Sequence, residues 1–511
     1  MLFGYLGDTQ GSGLKTISSR ERYRLFSFAE TEAAKNMNTY YKEARKRAQQ
    51  GEGGPNYDAR TMFMGTDIVD DQYTGVERTG THRVLVKPDP YNILFFFRQT
   101  YNFVADVQDV IYGGRMIRPD QMPSELKDFL NTFVLDTLIP MIKDKMFQYL
   151  QEFVSGPEAF KLERHPKVAN GGDKPILKSA LMAAKVIREL CDVLSSIPIF
   201  QEKYISMIEI LLSEFHENIF SKFNEMISKP LGEDVAFEDN QAMVSSRWVN
   251  FEGIRSLYDE IMKEKVRDAD AVIDLETLEK EAVILLQAKT HTPVTRNEIV
   301  LDTNRLCFLA NLHNSLDWLI GEISGITVDG FINSTLTGSS STELFLGSQF
   351  EGVVSQFREL SIRCINLLRL EVRSHCVYFL DQAFRQGNYT PDTEAVEPDS
   401  SVVALNKDLL FLDEVMTENL PVAKSRFIFD GLTLFVARTL CSNARLIKSI
   451  NRSGVVKITR NVFALQQNLA QIIATHDSFL DVTRHFYNLM NHETDVYPFA
   501  VPFFLFFFLS L

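Results

Sequence analysis

Along most of this chain, apolar residues recur at alternating three- and four-residue steps, the spacing that lines one face of an α-helix. Residues 204–227, YISMIEILLSEFHENIFSKFNEMI, carry the pattern in full: Ile205, Ile208, Leu212, Phe215, Ile219, Phe223 and Met226 form one stripe. Glu209, Glu214, Glu217 and Asn224 fall elsewhere on the same surface, so the segment predicts a helix with one buried face. A second stripe runs through Phe350, Val353, Phe357, Leu360, Cys364, Leu367 and Leu370, and Val377 and Leu380 extend it. No proline interrupts residues 342–386, which predicts a helix far longer than the average of about twelve residues. The same period predicts helices over residues 21–49, 91–111, 124–154, 175–195, 250–264, 305–323, 401–419, 424–450 and 454–490.

The breaks carry turn chemistry. GEGGPNYD (residues 51–58) and NGGDKP (170–175) are loops, and NYTPDTEAVEPDSS (388–401) is a polar connector. TGSSST (337–342) stands directly before the long helix, where its hydroxyls are placed to cap the first turn. Residues 57–82 show no period and read as a mobile excursion. No tandem repeat is evident, which favours an irregular rod over a regular solenoid. The expected fold is all-α: an elongated rod of stacked antiparallel helical bundles. Its expected parts are a disordered amino-terminus (1–20), a first helical-bundle region (21–240) with a mobile loop (51–83), a middle helical region (241–340), a carboxy-terminal bundle (341–492) and an apolar tail (493–511).

Composition agrees with long helices. The 511 residues include 26 glycines and 17 prolines, where average usage gives about 36 and about 26. The net charge of −14 argues against nucleic acid, which calls for a concentrated basic face. The densest basic cluster, KEARKR (42–47), is interrupted by an acid and reads as the solvated side of a helix. Five dispersed cysteines without CxxC pairs fit reduced thiols in a cytoplasmic protein. The start, MLFGYLGDTQGSG, lacks the basic n-region of a signal peptide.

Candidate chemistry is sparse. GDTQGSGLKT (7–16) resembles a phosphate-binding loop, but Leu14 separates Gly13 from Lys15, and no apolar strand precedes it. Cys364 and His375 share a helix face roughly 16 Å apart, too far to hold one zinc ion. They read as a buried thiol and a capped or exposed imidazole, and the neighbouring Cys376 points away. HNSLDW (313–318) contains His, Ser and Asp, yet a catalytic serine takes its base and acid from distant segments. Leu309, Leu312, Leu316 and Leu319 keep helical spacing there, which predicts core packing. The acidic runs DDQYTGVERTG and GEDVAFEDN lack calcium-loop spacing. No catalytic, cofactor-binding or metal-binding residue is expected, and no enzyme.

Several collinear stretches resemble a known family. They are LCFLANLHNSLDWL (306–319); LLRLEVRSHCVYFLDQAFRQGNY followed by VVALNKDLLFLDEVM (367–416); and SGVVKITRNVFALQQNLAQI running into DSFLDVTRHFYNLM (453–490). A weaker match joins FSFAETEAAKNMNTYYKEARKR to HRVLVKPDPYNILFFF. Together they resemble exocyst complex component four, the Sec-eight subunit of the vesicle-tethering exocyst, from about residue 26 to 490. The resemblance implies a rod of helical bundles that joins other exocyst subunits, with small GTPases as a further candidate class of partner. It implies a cytoplasmic protein, peripheral at secretion sites of the plasma membrane, that holds secretory vesicles before fusion. A helical subunit of another tethering complex, at the Golgi or endosome, is the alternative. The family's chain is nearly twice as long, and its amino-terminal helices, which zip subunits together, have no counterpart here.

The tail PFAVPFFLFFFLSL (498–511) departs from the family. Residues 496–511 fall short of the ~20 that span a bilayer, and Pro498 and Pro502 interrupt them, so no transmembrane segment is expected and only a weak anchor would be the alternative. Phe, Leu, Ser and Pro share pyrimidine-rich codons, which reads as translation of a non-coding tract or an alternative terminus.

Overall fold

The computed structural model describes residues 39, 42, 89–112, 125–154, 156, 158–164, 174–228, 243–267, 272–289, 293–325, 327–329, 343–345, 350–393, 397–473 and 478–489. The loop at 57–82, the phosphate-loop-like stretch at 7–16, the hydroxyl run at 337–342 and the tail at 493–511 lie outside them. So does the helix expected over 21–49, apart from Thr39 and Lys42, which are helical.

In chain order the helices are α1 (Ile93–Tyr112), α2 (Glu125–Phe133) and α3 (Ile139–Val154), followed by α4 (Lys178–Ser196) and α5 (Gln201–Ile227). Next come α6 (Val244–Val249), α7 (Glu252–Arg267), α8 (Leu275–Ala288), α9 (Thr303–Ser324) and α10 (Glu351–Gln386). The last are α11 (Ser400–Asn419), α12 (Val422–Phe429), α13 (Leu432–Asn443), α14 (Arg452–Ile473) and α15 (Phe479–Leu489). Strands are confined, among the described residues, to four runs of three: β1 (Leu162–Arg164), β2 (Pro175–Leu177), β3 (Thr327–Asp329) and β4 (Glu343–Phe345). β1 and β2 pair antiparallel, Glu163 opposite Ile176. The fold is all-α, as the period predicts.

Several boundaries differ from the expectation for local reasons. The helix expected over 124–154 runs through a π-turn, Val134–Leu138, just before Pro140. The proline has no N–H to donate and its ring crowds the carbonyl four residues back, so the turn widens there. Residues 175–177 form β2 rather than the first turn of a helix. The long helix starts at Glu351, with Phe350 at its cap position and no side-chain cap, so the expected hydroxyl cap from 337–342 is not its start. The helix expected over 424–450 breaks at Asp430–Gly431, where Gly431 takes a left-handed φ of 73°. The one expected over 454–490 divides into α14 and α15.

The chain divides into two units, one of Met1–Met146, Val186–Ser206 and Val328–Glu343, the other of Phe147–Lys185, Met207–Thr327 and Leu344–Leu511. In the second, α10 is the axis. Helices α6, α9, α11, α12 and α13 all pack on it, and every residue from Cys364 to Val377 is buried. Phe350, Phe357, Leu360, Cys364, Leu367, Leu370, Val377 and Leu380 of the expected stripe are buried, with Val354 in place of Val353.

Gly454, in the first turn of α14, permits a close approach to the chain after α10. A Cβ there would lie 1.9 Å from the Tyr389 carbonyl oxygen, the same oxygen that accepts from the Asn451 N–H at 3.0 Å. Gly454→Ala must therefore displace backbone. It is expected to destabilise the second unit by about 2–3 kcal/mol, read as a lowered urea midpoint at unchanged slope.

Candidate functional site

The centre of α10 brings ionisable groups where its neighbours bury them. Arg369 and Arg373, one turn apart, both reach Glu281 on α8: the Arg369 Nη2–Glu281 Oε2 distance is 2.6 Å and the Arg373 Nε–Glu281 Oε1 distance 2.8 Å. The Tyr258 hydroxyl of α7 donates to Glu281 Oε1 at 2.5 Å. The guanidiniums also cap the carboxy-terminal end of α12, Arg369 donating to the Phe427 carbonyl and Arg373 to those of Ile428 (3.0 Å) and Asp430 (2.8 Å). Those carbonyls have no intrahelical partner, and the helix dipole places partial negative charge on them. Burial pushes the Glu281 carboxyl up, but Arg369 and Arg373 outweigh it and hold it down to about 2. Burial raises the Tyr258 hydroxyl well above its ordinary value.

A second group lies two residues further along α10. His375 sits between Glu371, at 3.2 Å from Nε2, and Asp408 of α11, at 2.6 Å from Nδ1. Glu371 Oε1 also accepts the Val300 N–H at 2.5 Å. Burial disfavours the imidazolium, yet the hydrogen bond to Asp408 and the nearby carboxylate of Glu371 prevail and raise its pKa to about 10. The expectation of a capped or exposed imidazole is corrected: with a carboxylate at each nitrogen, His375 is a buried cation. A third group joins Lys289 to Asp381, with Asn443 donating to Asp381 Oδ1 at 2.9 Å. Across the three groups the cations Arg369, Arg373, His375 and Lys289 face the carboxylates Glu281, Glu371, Asp408 and Asp381. These ion pairs tie α10 to α8 and α11 and turn the groups toward one another inside the bundle.

Among the described residues, an arrangement resembling a catalytic triad has its proton path reversed. Ser361 of α10 meets His313 and Asp317 of α9, its Oγ 2.8 Å from His313 Nδ1 and donating to Asp317 Oδ1 at 2.6 Å. His313 Nδ1 also lies 2.9 Å from the Ser361 carbonyl oxygen, which can only accept, so Nδ1 carries the proton. The imidazole is thus a donor to the serine, and the serine proton already belongs to a carboxylate. Burial lowers the His313 pKa and keeps the ring neutral. With Ser361 itself buried, the geometry supplies no activated nucleophile. As the spacing predicts, Leu309, Leu312, Leu316 and Leu319 are core residues.

In a groove of ≈ 640 Å³ between α7 and α8, Ser256 donates to the Glu252 carbonyl at 3.0 Å and Lys280 pairs with Glu276 at 2.8 Å. All five cysteines are free, and burial pushes the thiols of Cys191 and Cys376 up to about 12. Among the described residues no cluster of three or more His, Cys, Asp or Glu is placed to hold a metal ion. Among them, too, no helix is long and apolar enough to cross a membrane.

Fold and side-chain chemistry therefore define an all-helical, bundle-forming protein whose buried ions serve packing. No family model matches the chain, but individual proteins do. It is 23% identical to the human exocyst complex component 4 over 94% of this chain and 49% of that protein. It is 28% identical to the Dictyostelium discoideum exocyst complex component 4 over 73% of this chain and 36% of that protein. To the Arabidopsis thaliana exocyst complex component SEC8 it is 22% identical, over 79% of this chain and 38% of that protein. These matches bear out the resemblance read from the sequence: the chain is homologous to exocyst complex component 4. It spans about half the length of the human and mouse relatives.

Proposed function

We propose that the chain is a structural subunit of an exocyst-type complex, cytoplasmic and peripheral at plasma-membrane secretion sites, where it helps hold secretory vesicles before fusion. It works through protein–protein contacts with other subunits and catalyses no reaction. One observation carries this reading: relatives named as exocyst components match it along most of its length. The inward-facing, charge-matched ionisable groups of α10 support it, because they stiffen a bundle and offer nothing to a substrate. The relatives' names favour the exocyst over a Golgi or endosomal tether. Depleting the chain from its native cells tests the proposal. Secretion of a reporter is expected to fall while vesicles accumulate unattached near the plasma membrane; unchanged secretion with normal vesicle attachment would contradict it.

A further inference from the structure

Helix α1, in the first unit, buries one side and leaves another bare. Phe97 and Val104 are buried, whereas Phe96, Phe103 and Val110 are 56%, 63% and 83% exposed. These three recur every seven residues, and the half-buried Thr100 and Val107 fall between them on the same face. The stripe from Phe96 to Val110 is roughly 21 Å long at about 1.5 Å per residue. Gln99 and Asp106, both exposed, complete the alternation of threes and fours along its edge. Exposed aromatics on a soluble helix mark a surface that another element covers.

Charge selects the occupant. Among the described residues Asp106 is in no ion pair and stands beside the apolar seam. A second copy of α1 packed parallel would set Asp106 against its own equivalent, two like charges at one level. Packed antiparallel about Phe103, it would set the carboxylate level with Thr100, again without a cation. A lipid surface is disfavoured too: Arg98, the one basic residue of α1, lies about 200° around the helix from Phe96, away from the stripe. We propose that the α1 face Phe96–Phe103–Val110 receives an amphipathic helix of a different protein chain, in heptad register, with a lysine or arginine opposite Asp106. This rests on the reading of the chain as a subunit held by neighbours, and it names where one neighbour docks.

The test uses the full chain and two synthetic 21-residue helices with leucine at both seam positions. One peptide carries lysine, the other glutamate, at the position facing Asp106. Fluorescence anisotropy is expected to show the lysine peptide binding at least about tenfold more tightly. Asp106→Lys should reverse that preference, and Phe103→Glu should abolish binding of both. Phe103 is exposed, so folding is retained and circular dichroism checks it. Equal affinities, or no reversal with Asp106→Lys, would overturn the inference. So would a dimer in sedimentation that Phe103→Glu dissolves, or flotation with phosphatidylserine vesicles that the same variant loses. Any of these results beside an intact secretion phenotype on depletion would refute the docking face and leave the subunit reading standing.

Discussion

Glu281→Gln is expected to be among the most destabilising single substitutions in the second unit, by about 3–5 kcal/mol. The side chain keeps its shape but loses the charge that faces Arg369 and Arg373, leaving two fully buried guanidiniums next to each other without a counter-ion. The Tyr258 hydroxyl loses its carboxylate acceptor at the same time. Removing one arginine as well should recover part of the loss: in Arg373→Met/Glu281→Gln the surviving guanidinium of Arg369 keeps the Phe427 carbonyl of α12 and has no like charge beside it. Full recovery is not expected, because the Ile428 and Asp430 carbonyls lose their donors. Chemical denaturation of the single and double variants measures the coupling directly. A loss below about 1 kcal/mol for Glu281→Gln would show the cluster to be hydrated and the packing argument wrong.

The second large effect is alkaline. His375 titrates near 6.5 in an unfolded chain and at about 10 when folded. A raised pKa means that the folded state holds the proton more tightly. Its stabilisation is therefore complete below about pH 6.5 and is lost as pH rises through about 10. At about 1.4 kcal/mol per pH unit, the interval from 6.5 to about 10 bounds the effect at roughly 5 kcal/mol. The neighbours explain the direction. Glu371, one turn earlier on α10, and Asp408, across on α11, would be two carboxylates around a neutral ring once the proton left. Stability measured between pH 6 and 10.5 should fall steadily, and His375→Gln should lower stability at pH 6 while flattening that slope. An unchanged slope in the variant would show that His375 is not the titrating group. At the acid end the sign reverses: Glu281, held down to about 2, contributes above its unfolded value of 4.5 and loses that contribution as pH falls through about 2.

Much of the bundle was legible in residue spacing. Most of the apolar stripes of α5 and α10 turn inward as read, with Ile205, Met226 and Val353 only half-buried, and the leucines around His313 are core. The central charges of α10 were not legible as buried, because arginine, glutamate and histidine normally mark the solvated face. A signal was present nonetheless. Leu367, Leu368, Leu370, Val372, Cys376 and Val377 point in every direction around the helix, so no side is left for solvent. Helix α8, which supplies Glu281, is not among the expected helices, although Leu278, Ala282 and Leu285 keep the period and Asp274 accepts from the Thr277 N–H at its start. The break before α13 was signalled by Asp430–Gly431, a turn dipeptide hidden in a continuous apolar run. Ser361 could not be joined to His313 from sequence, since 48 residues separate them and only the packing of α9 on α10 brings them together. The exposed stripe of α1 keeps the same period as the buried ones, and spacing alone does not tell a covered face from a bare one.

Affinity purification of the tagged full chain from its native cells, at its normal abundance, tests the account most directly, with the co-purifying proteins identified and their molar ratios measured. The account predicts recovery with proteins homologous to the other exocyst subunits, in near-equal amounts, stable through gel filtration. A chain recovered alone, or with the subunits of a different tethering complex, would contradict it.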